Sequence, residues 1–224
     1  MQSFRGRSTT AFPVKAANDA NVAALGEMWK GGGQGYTNMV AVTLGTGVGG
    51  GIIIDGKILA GATGSGGEIG HIHIVDDEPD TCGCGNHGCL EQYGSATGVV
   101  GLASRKLAAC DDASVLREAQ ANGELSAKAV FDAVKVGDQL ACEVAEEFGM
   151  YLGKGLAAIA CVVNPEIFVL GGGVSKAGEI LCEYVSKYYK KYVFHGCRDA
   201  KFALATLGND AGIVGAARLV LEQD

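Results

Sequence analysis

Apolar positions along this chain recur with the two periods that distinguish helices from strands. Helical spacing, as in Val22, Leu25 and Trp29, alternates with short continuous apolar runs of strand length. Glycines and capping residues mark the ends of these segments. The predicted helices cover residues 20–30, 91–109, 127–132, 139–161, 176–190 and 211–221, and the predicted strands cover residues 39–44, 51–54, 57–60, 167–170 and 201–207.

The order of these segments predicts an α/β lobe with a mixed sheet. Asp55 and Gly56 join two strand-like runs, which is a strong hairpin signal and indicates an antiparallel meander. Further along, the buried run at 167–170 passes through Gly171-Gly172-Gly173 into a helix, as in a β-turn-α unit. Strands followed by alternating helices and strands fit such a lobe.

Composition narrows the class of protein. The chain has 224 residues, of which 48% are hydrophobic, so it can fill a sizeable core. A net charge of -7 without a dense block of lysine or arginine disfavours a nucleic-acid surface. No apolar run approaches the roughly 20 residues that span a bilayer, and residues 1–10 lack the apolar centre of a signal peptide. We therefore expect a cytoplasmic protein whose partners are small molecules or protein subunits, with no nucleic acid and no membrane.

Three of the eight cysteines, Cys82, Cys84 and Cys89, lie together in a glycine-rich segment. Three thiolates and one imidazole form a closed tetrahedral zinc set. Spacing alone does not choose the fourth ligand. The candidates are His71, His73 and His87. The alternative interpretation is a group of reduced or disulfide-paired cysteines.

A glycine-lined turn before this segment places Glu68 and His71 three residues apart. Such a turn can present hydrogen-bonding groups to a polyhydroxyl ligand. Glu91 follows Cys89 by two residues, so a metal loop would hold it in place and add a second carboxylate. On sequence alone, Glu68 and Glu91 are equally consistent with solvated surface acids.

Two glycine bends follow predicted strands. Backbone N–H groups and the Thr hydroxyl of Gly45-Thr46-Gly47 could hold phosphate oxygens, although a plain hairpin turn explains the pattern equally well. The bend Gly171-Gly172-Gly173 could admit a flat nucleotide base or simply turn the chain. Asp19 has a similar ambiguity, because Asn18 and Asp19 precede a helix and either can be its N-cap.

Together these motifs resemble the ROK family of sugar kinases and repressors and, within it, the glucokinases. The resemblance runs from about Pro13 to the C-terminus. Asn18-Asp19-Ala20-Asn21 is similar to the family's catalytic segment, which implies Asp19 as the base that takes the proton of the sugar 6-hydroxyl and Asn18 as a sugar ligand. Glu68-Ile69-Gly70-His71 resembles the sugar-binding turn, and the cysteines with Glu91 resemble the zinc signature.

The resemblance also implies roles for the remaining motifs. Sugar hydroxyls would contact Glu68, His71 and Glu91, and a structural Zn²⁺ would be held by His71, Cys82, Cys84 and Cys89. Gly45, Thr46 and Gly47 are similar to the family's second phosphate loop. The adenosine-binding turn corresponds to Gly171, Gly172 and Gly173.

The implied fold is the actin-like ATPase (ribonuclease H-like) fold, and the implied activity is ATP-dependent phosphorylation of glucose at the 6-hydroxyl. Mg²⁺ would neutralise the phosphates. The family implies a place in glycolysis and carbohydrate metabolism and a homo-oligomer, either dimer or tetramer. Fructose, N-acetylmannosamine and N-acetylglucosamine are alternative acceptors, because discrimination between hydroxyl patterns depends on the shape of the pocket.

The N-terminal segment departs from the family pattern. Kinases of this fold begin with a strand and a turn that carry an Asp and several glycines facing the ATP phosphates, and no such segment precedes Asn18. We therefore expect residues 18–224 to form the sugar, zinc and nucleotide lobe, with the first lobe absent and residues 1–17 unmatched. Such a chain would keep its sugar and zinc sites and turn over poorly.

Two other classes of function are consistent with the motifs, namely a sugar-responsive regulator without enzymatic activity and an inert fragment. ROK repressors carry an N-terminal helix-turn-helix that binds DNA, and residues 1–17 are too short to form one. The acidic charge also offers no surface for phosphate contacts. The regulator is therefore the weaker interpretation.

Overall fold

The computed structural model describes residues 18–221, so the predictions for residues 1–17 lie outside the described residues. A five-stranded mixed sheet forms the centre, with the strand order β3-β2-β1-β4-β5. Its strands are β1 Met39–Leu44, β2 Val48–Ile54, β3 Lys57–Ile58, β4 Ile167–Gly171 and β5 Lys201–Leu204.

Helices cover both faces of the sheet. They are α1 Asp19–Lys30, α2 Glu91–Gly94, α3 Ala96–Ala109, α4 Leu116–Ala121, α5 Ala127–Lys135, α6 Gln139–Val163, α7 Glu179–Tyr192 and α8 Ala211–Leu221. Short 3-10 turns occupy Ile69–His71, Val174–Ala177, His195–Cys197 and Gly208–Asp210. None of the helices in the described part of the chain combines the length and the apolar character that a membrane span requires.

Strand β1 is the centre of the sheet, antiparallel to β2 and parallel to β4. The predicted hairpin is confirmed, because Ile54 pairs with Lys57 across a two-residue turn. Both turn residues, Asp55 and Gly56, have positive φ angles of 50° and 76°. This is the conformation that matches the twist of the two flanking strands.

The continuous apolar run of β1 reflects burial on both faces of the sheet. Met39 and Ala41 belong to the cluster that α1 covers, whereas Val40 and Val42 point into the larger core with α6 and α7. Successive side chains of a strand alternate between faces, so a strand with helices on both sides is apolar at every position.

Helices α1 and α8 cross at close range. A Cβ atom on Gly26 would overlap the carbonyl oxygen of Ala211, and one on Gly215 would overlap that of Val22. Only glycine therefore permits this distance between the two backbones. The contact holds α1 on the sheet and fixes the position of its N-terminal residues.

Three predicted helices differ from the structure by one to three residues at one end, and two others differ more. The predicted helix 91–109 is divided into α2 and α3 at Ser95, whose side chain caps α3 by accepting a hydrogen bond from the Gly98 N–H. The predicted helix 176–190 begins only at Glu179, because Gly178 has a φ of 88° that a helix cannot include. Helix α4 was not predicted, since its six residues offer little periodicity.

The strand predicted at residues 51–54 is longer in the structure and begins at Val48, whereas two other predicted strands are shorter than their apolar runs. The run 57–60 pairs with β2 only at Lys57 and Ile58. The run 201–207 leaves the sheet after Leu204, because the N–H groups of Thr206 and Leu207 donate to the Glu27 carboxylate instead of a neighbouring strand. A buried side chain of another element thus ends β5.

The helix crossing can be tested with Gly215→Ala. The added methyl has no space against Val22, so we expect the free energy of unfolding to fall by about 1–3 kcal/mol. Chemical denaturation monitored by circular dichroism measures this change. Gly212→Ala is the matched control in the same helix, because nothing lies within 4 Å of its added Cβ. The control should be neutral or stabilising by up to about 1 kcal/mol, and equal effects of the two substitutions would contradict the crossing.

Candidate functional site

The four predicted metal ligands lie together in the segment between β3 and α2. One ligand atom from each of His71, Cys82, Cys84 and Cys89 falls within 4.8 Å of the others. The Cys84 and Cys89 sulfurs are 3.6 Å apart, and the Cys82 sulfur is 3.7 Å from His71 Nδ1. Tetrahedral zinc with ordinary Zn–S and Zn–N distances requires separations of about 3.6–3.8 Å between ligand atoms. The donor set and its dimensions therefore fit zinc.

The structure also decides between the three candidate histidines. His73 bonds through its two ring nitrogens to the His87 carbonyl at 2.9 Å and to Asp76 at 3.0 Å. His87 Nδ1 lies 3.1 Å from the Glu78 carbonyl. His71 is thus the histidine that faces the thiols. All eight cysteines are free in the structure, which agrees with metal ligands or reduced thiols rather than with disulfides.

The pKa values of the three thiols are shifted in different directions. Burial raises the pKa of Cys82 to about 12 and also raises that of Cys89. The Asn86 N–H lowers the pKa of the exposed Cys84. A metal binds thiolates and therefore displaces these protons, so its apparent affinity for the cluster decreases as the pH falls.

Hydrogen bonds from α2 hold the cysteine loop. Glu78 is buried, and its carboxylate accepts from the Tyr93 hydroxyl and from the Asp80 N–H. Although burial opposes it, these hydrogen bonds leave the pKa of Glu78 below its ordinary value. Gln92 accepts from the Cys89 N–H at 3.0 Å and donates to the Asp80 carbonyl at 2.8 Å. The loop is thus tied to one short helix at several points.

Glu91, the first residue of α2, connects this cluster with the first glycine bend. Its Oε1 atom lies 2.9 Å from the Cys82 sulfur and 3.6 Å from His71 Nδ1, and its side chain is 22% exposed. Its Oε2 atom faces Gly47, where a Cβ would lie only 2.5 Å away. Glu91, Thr46 and Gly47 line one cavity of about 430 Å³. Glu91 is therefore not a freely solvated acid.

The bend Gly45-Thr46-Gly47 is a hairpin turn between β1 and β2. The Gly45 N–H donates to the Gly47 carbonyl, and the Gly45 carbonyl accepts from the Ala96 N–H at the start of α3. Thr46 is exposed. The hairpin interpretation is thus correct as a description of the backbone, and the exposed hydroxyl beside a cavity is compatible with a ligand.

The other sugar-site candidates lie at the surface. Asn18 is the N-cap of α1 and its side chain accepts from the Ala20 N–H at 2.9 Å. Asp19 is the first helical residue rather than the cap, and its carboxylate is exposed. Glu68 is exposed immediately before the turn that carries His71. Of the predicted sugar-site residues, only Glu91 lines this cavity among the described residues, and the lining does not include Asn18, Asp19, Glu68 or His71.

A second cavity of about 580 Å³ lies at the carboxyl ends of β1, β4 and β5. Its volume falls in the range that holds small ligands, and this edge of an α/β sheet is where ligands commonly bind. At its wall, Gly172 has a φ of 84° and lies against the Leu44 backbone. The lining includes Glu27, Thr43, Gly171, Gly172, Gly173, Lys176 and Thr206.

Glu27 and Lys176 in this lining were not predicted from the sequence. Glu27 lies in an alanine-rich helix whose pattern does not distinguish a buried acid from a solvated one. Lys176 follows the second bend and is exposed. The glycines at 171–173 locate the cavity, but its opposite wall comes from α1 and the segment after β5, which are distant in sequence.

Comparison with known proteins places this geometry in a family. A model described as the ROK family matches residues 7–223, a start earlier than Pro13. The chain belongs to the ROK family. It is 45% identical to a glucokinase of Halalkalibacterium halodurans over 96% of this chain and 66% of that protein. It is 39% identical to a Streptomyces coelicolor glucokinase over 95% of this chain and 68% of that protein.

A solved structure of a related protein agrees with this assignment. The ROK family glucokinase of Streptomyces griseus in complex with glucose and AMPPNP matches with a TM-score of 0.79 and 37% identity. The match covers 92% of this chain and 68% of that one. The expected actin-like ATPase fold is therefore confirmed, and this chain spans about two thirds of the length of these ROK relatives.

The cluster predicts a measurable metal content. We expect protein purified without chelators to carry about one Zn²⁺ per chain, because four protein ligands complete a tetrahedral coordination shell. Mass spectrometric metal analysis measures this content. Cys84→Ser should lower that content substantially. Cys161→Ser is the control, since Cys161 is exposed and outside the cluster. Zinc-free parent protein, or full zinc retention in Cys84→Ser, would contradict the assignment.

Proposed function

We propose that this ROK protein phosphorylates glucose at the 6-hydroxyl with ATP. Glucokinases of the family are 45% and 39% identical to it, and the Streptomyces griseus structure contains both glucose and an ATP analogue. The chain spans only 66% of the Halalkalibacterium protein, so the activity of that whole protein is proposed for this chain and not transferred to it as a fact.

The observation that carries the proposal is the position of Glu91. One carboxylate oxygen contacts the cysteine cluster and the other faces the Gly45-Thr46-Gly47 bend, with Glu91 and Thr46 lining the same cavity. A carboxylate can accept hydrogen bonds from sugar hydroxyls, and an exposed Thr hydroxyl with nearby backbone N–H groups can bind phosphate. A sugar hydroxyl bound to Glu91 and a phosphate bound to Thr46 would thus lie in the same cavity.

The sugar in this proposal binds to Asn18, Glu68, His71 and Glu91. Asp19 accepts the 6-hydroxyl proton while that oxygen attacks the γ-phosphate of ATP. Asn18 is the N-cap of α1, and the Asp19 Oδ1 atom accepts from the same Ala20 N–H at 2.8 Å, which leaves the second Asp19 carboxylate oxygen for the substrate proton. Its exposure leaves it accessible to substrate.

The nucleotide in this proposal occupies the 580 Å³ cavity, with adenosine against Gly171, Gly172 and Gly173. Gly45, Thr46 and Gly47 contact its phosphates. Mg²⁺ bound with ATP supplies neutralisation of the phosphate charge. Zinc held by His71, Cys82, Cys84 and Cys89 supplies a structural clamp on the loop that carries two of the sugar ligands.

Glucose is the proposed acceptor because the two relatives compared above and the solved structure are glucokinases. Other sugars would differ in the groups at C2 and in ring form. Those differences would be sensed by carboxylates that hydrogen-bond hydroxyls, and a site left with unpaired polar groups rejects the wrong sugar strongly. Competition among the four candidate sugars for one chain measures the preference directly.

The role of Asp19 is tested with Asp19→Asn, which keeps the shape of the side chain and removes its basicity. We expect the glucose dissociation constant to stay within about threefold and the rate of phosphoryl transfer to fall on the order of a hundredfold or more, since the base acts mainly in the transition state. Single-turnover assays with labelled ATP and excess protein measure the rate of phosphoryl transfer even when that rate is low. Calorimetry measures glucose binding.

The matched control is Asp55→Asn in the β2–β3 turn, where Asn is equally suited to the positive φ angle. It should leave both quantities unchanged. A near-parental transfer rate in Asp19→Asn would rule out Asp19 as the base. Glucose binding by the parent without any transfer would contradict the proposed activity of this chain and would fit a regulator and a shortened kinase equally well.

Sugar affinity should depend on the metal cluster. Cys84→Ser removes one metal ligand and leaves the contacts of Glu91 with Cys82 and His71 in place. We nevertheless expect the glucose dissociation constant to rise about tenfold or more, because the metal no longer holds His71 and the loop beside Glu91. Calorimetric titration of the parent, the variant and chelator-treated parent measures this link. Unchanged glucose affinity after verified zinc loss would disprove it.

A further inference from the structure

Glu27 is a buried acid that the proposed chemistry does not use. It lies in the last turns of α1 and is 4% exposed. Its Oε2 atom accepts from the N–H groups of Gly32 at 2.9 Å and Thr206 at 3.1 Å, and its Oε1 atom accepts from Leu207 at 2.9 Å. A buried carboxylate that loses such partners is costly, so these three contacts define one arrangement.

The space for this carboxylate depends on the chain directly after α1. A Cβ on Gly31 would overlap Glu27 Oε2, and a Cβ on Gly32 would overlap the Leu204 carbonyl at the end of β5. The glycines that terminate the helix therefore also let Glu27 reach the segment after β5. The helix end and that segment are joined by side-chain-to-backbone bonds.

The segment that Glu27 holds is a wall of the 580 Å³ cavity. Thr206 and Gly208 line the cavity together with Glu27 and the bend Gly171-Gly172-Gly173. The Ala205 N–H still bonds to the Leu170 carbonyl of β4, but the next two N–H groups bond to Glu27. The wall thus takes its position from α1 rather than from the sheet.

Helix α1 carries the proposed base at its other end. Its 12 residues span about 18 Å, with Asp19 at the first position and Glu27 in the second half. A single rigid helix, packed against α8 at Gly26, therefore relates the nucleotide cavity to the proposed sugar side.

We propose that Glu27 is a positioning residue that sets nucleotide affinity by holding residues 206–208 against the cavity. This inference rests on the proposed function in that the cavity is taken to bind the adenine nucleotide. Glu27 need not touch the nucleotide. It acts through the backbone of Thr206 and Leu207, whose N–H groups have no strand partner in the described residues.

The test is Glu27→Gln in the 224-residue chain. The amide keeps one acceptor oxygen, so in either orientation at least one of the three N–H groups loses its partner. We expect the dissociation constant of Mg²⁺-AMPPNP to rise about tenfold, because a wall segment that has lost an anchoring hydrogen bond must be ordered again when the nucleotide binds. The glucose dissociation constant should change by less than about twofold. Calorimetry below the melting temperature of both proteins measures the two constants.

Glu124→Gln is the control, because Glu124 is exposed between α4 and α5 and does not line the cavity. Gly31→Ala is the second variant, since its methyl displaces the carboxylate without changing its charge. It should weaken AMPPNP binding as Glu27→Gln does, and it decides the question if Glu27→Gln does not fold.

Three outcomes would overturn the inference in distinguishable ways. A lower melting temperature with unchanged AMPPNP affinity would show that Glu27 only stabilises the fold and would leave the proposed function standing. Equal loss of AMPPNP and glucose affinity would show a general disturbance of the lobe. A parent chain that binds no AMPPNP would overturn both this inference and the proposed function.

Discussion

Helix α1 crosses α8 at a distance that only glycine allows, with Gly26 and Gly215 each lying against a carbonyl of the other helix. Both candidate regions of this ROK chain depend on that contact. The N-terminal end of α1 carries Asn18 and Asp19, and its second half carries Glu27 at the nucleotide cavity. Because close-packed backbones cannot slide without losing contact area, the crossing fixes both ends of α1 relative to the sheet.

The segment between β3 and α2 relies on a different kind of support. Its regular structure is limited to one 3-10 turn and isolated bridges, so few ladder hydrogen bonds define its path. Three thiols and His71 converge there, while Glu78 and Gln92 tie the same loop to α2. A closed metal site would make this segment rigid in the absence of regular secondary structure. The same site would also hold Glu91 in position.

Three glutamates illustrate how burial changes the role of one residue type. Glu78 bonds to a phenol, Glu91 to a thiol, and Glu27 to three backbone N–H groups. The buried carboxylates of Glu27 and Glu78 replace their lost hydration with fixed donors, which makes their locations specific, whereas Glu91 is partly exposed and keeps one oxygen facing a cavity. In an acidic chain these residues resemble the solvated acids in sequence, and only their surroundings separate them.

Elements with local signals could be predicted from the amino-acid sequence. The bounds of β1, the Asp55-Gly56 hairpin and the start of α6 follow from apolar runs, turn residues and capping, and the spacing of the cysteines indicated a metal loop. Other features depend on tertiary contacts. These contacts place His71 rather than His73 or His87 beside the thiols, end β5 early and give Glu27 its partners. These outcomes depend on contacts between residues up to 180 positions apart, which no local pattern encodes.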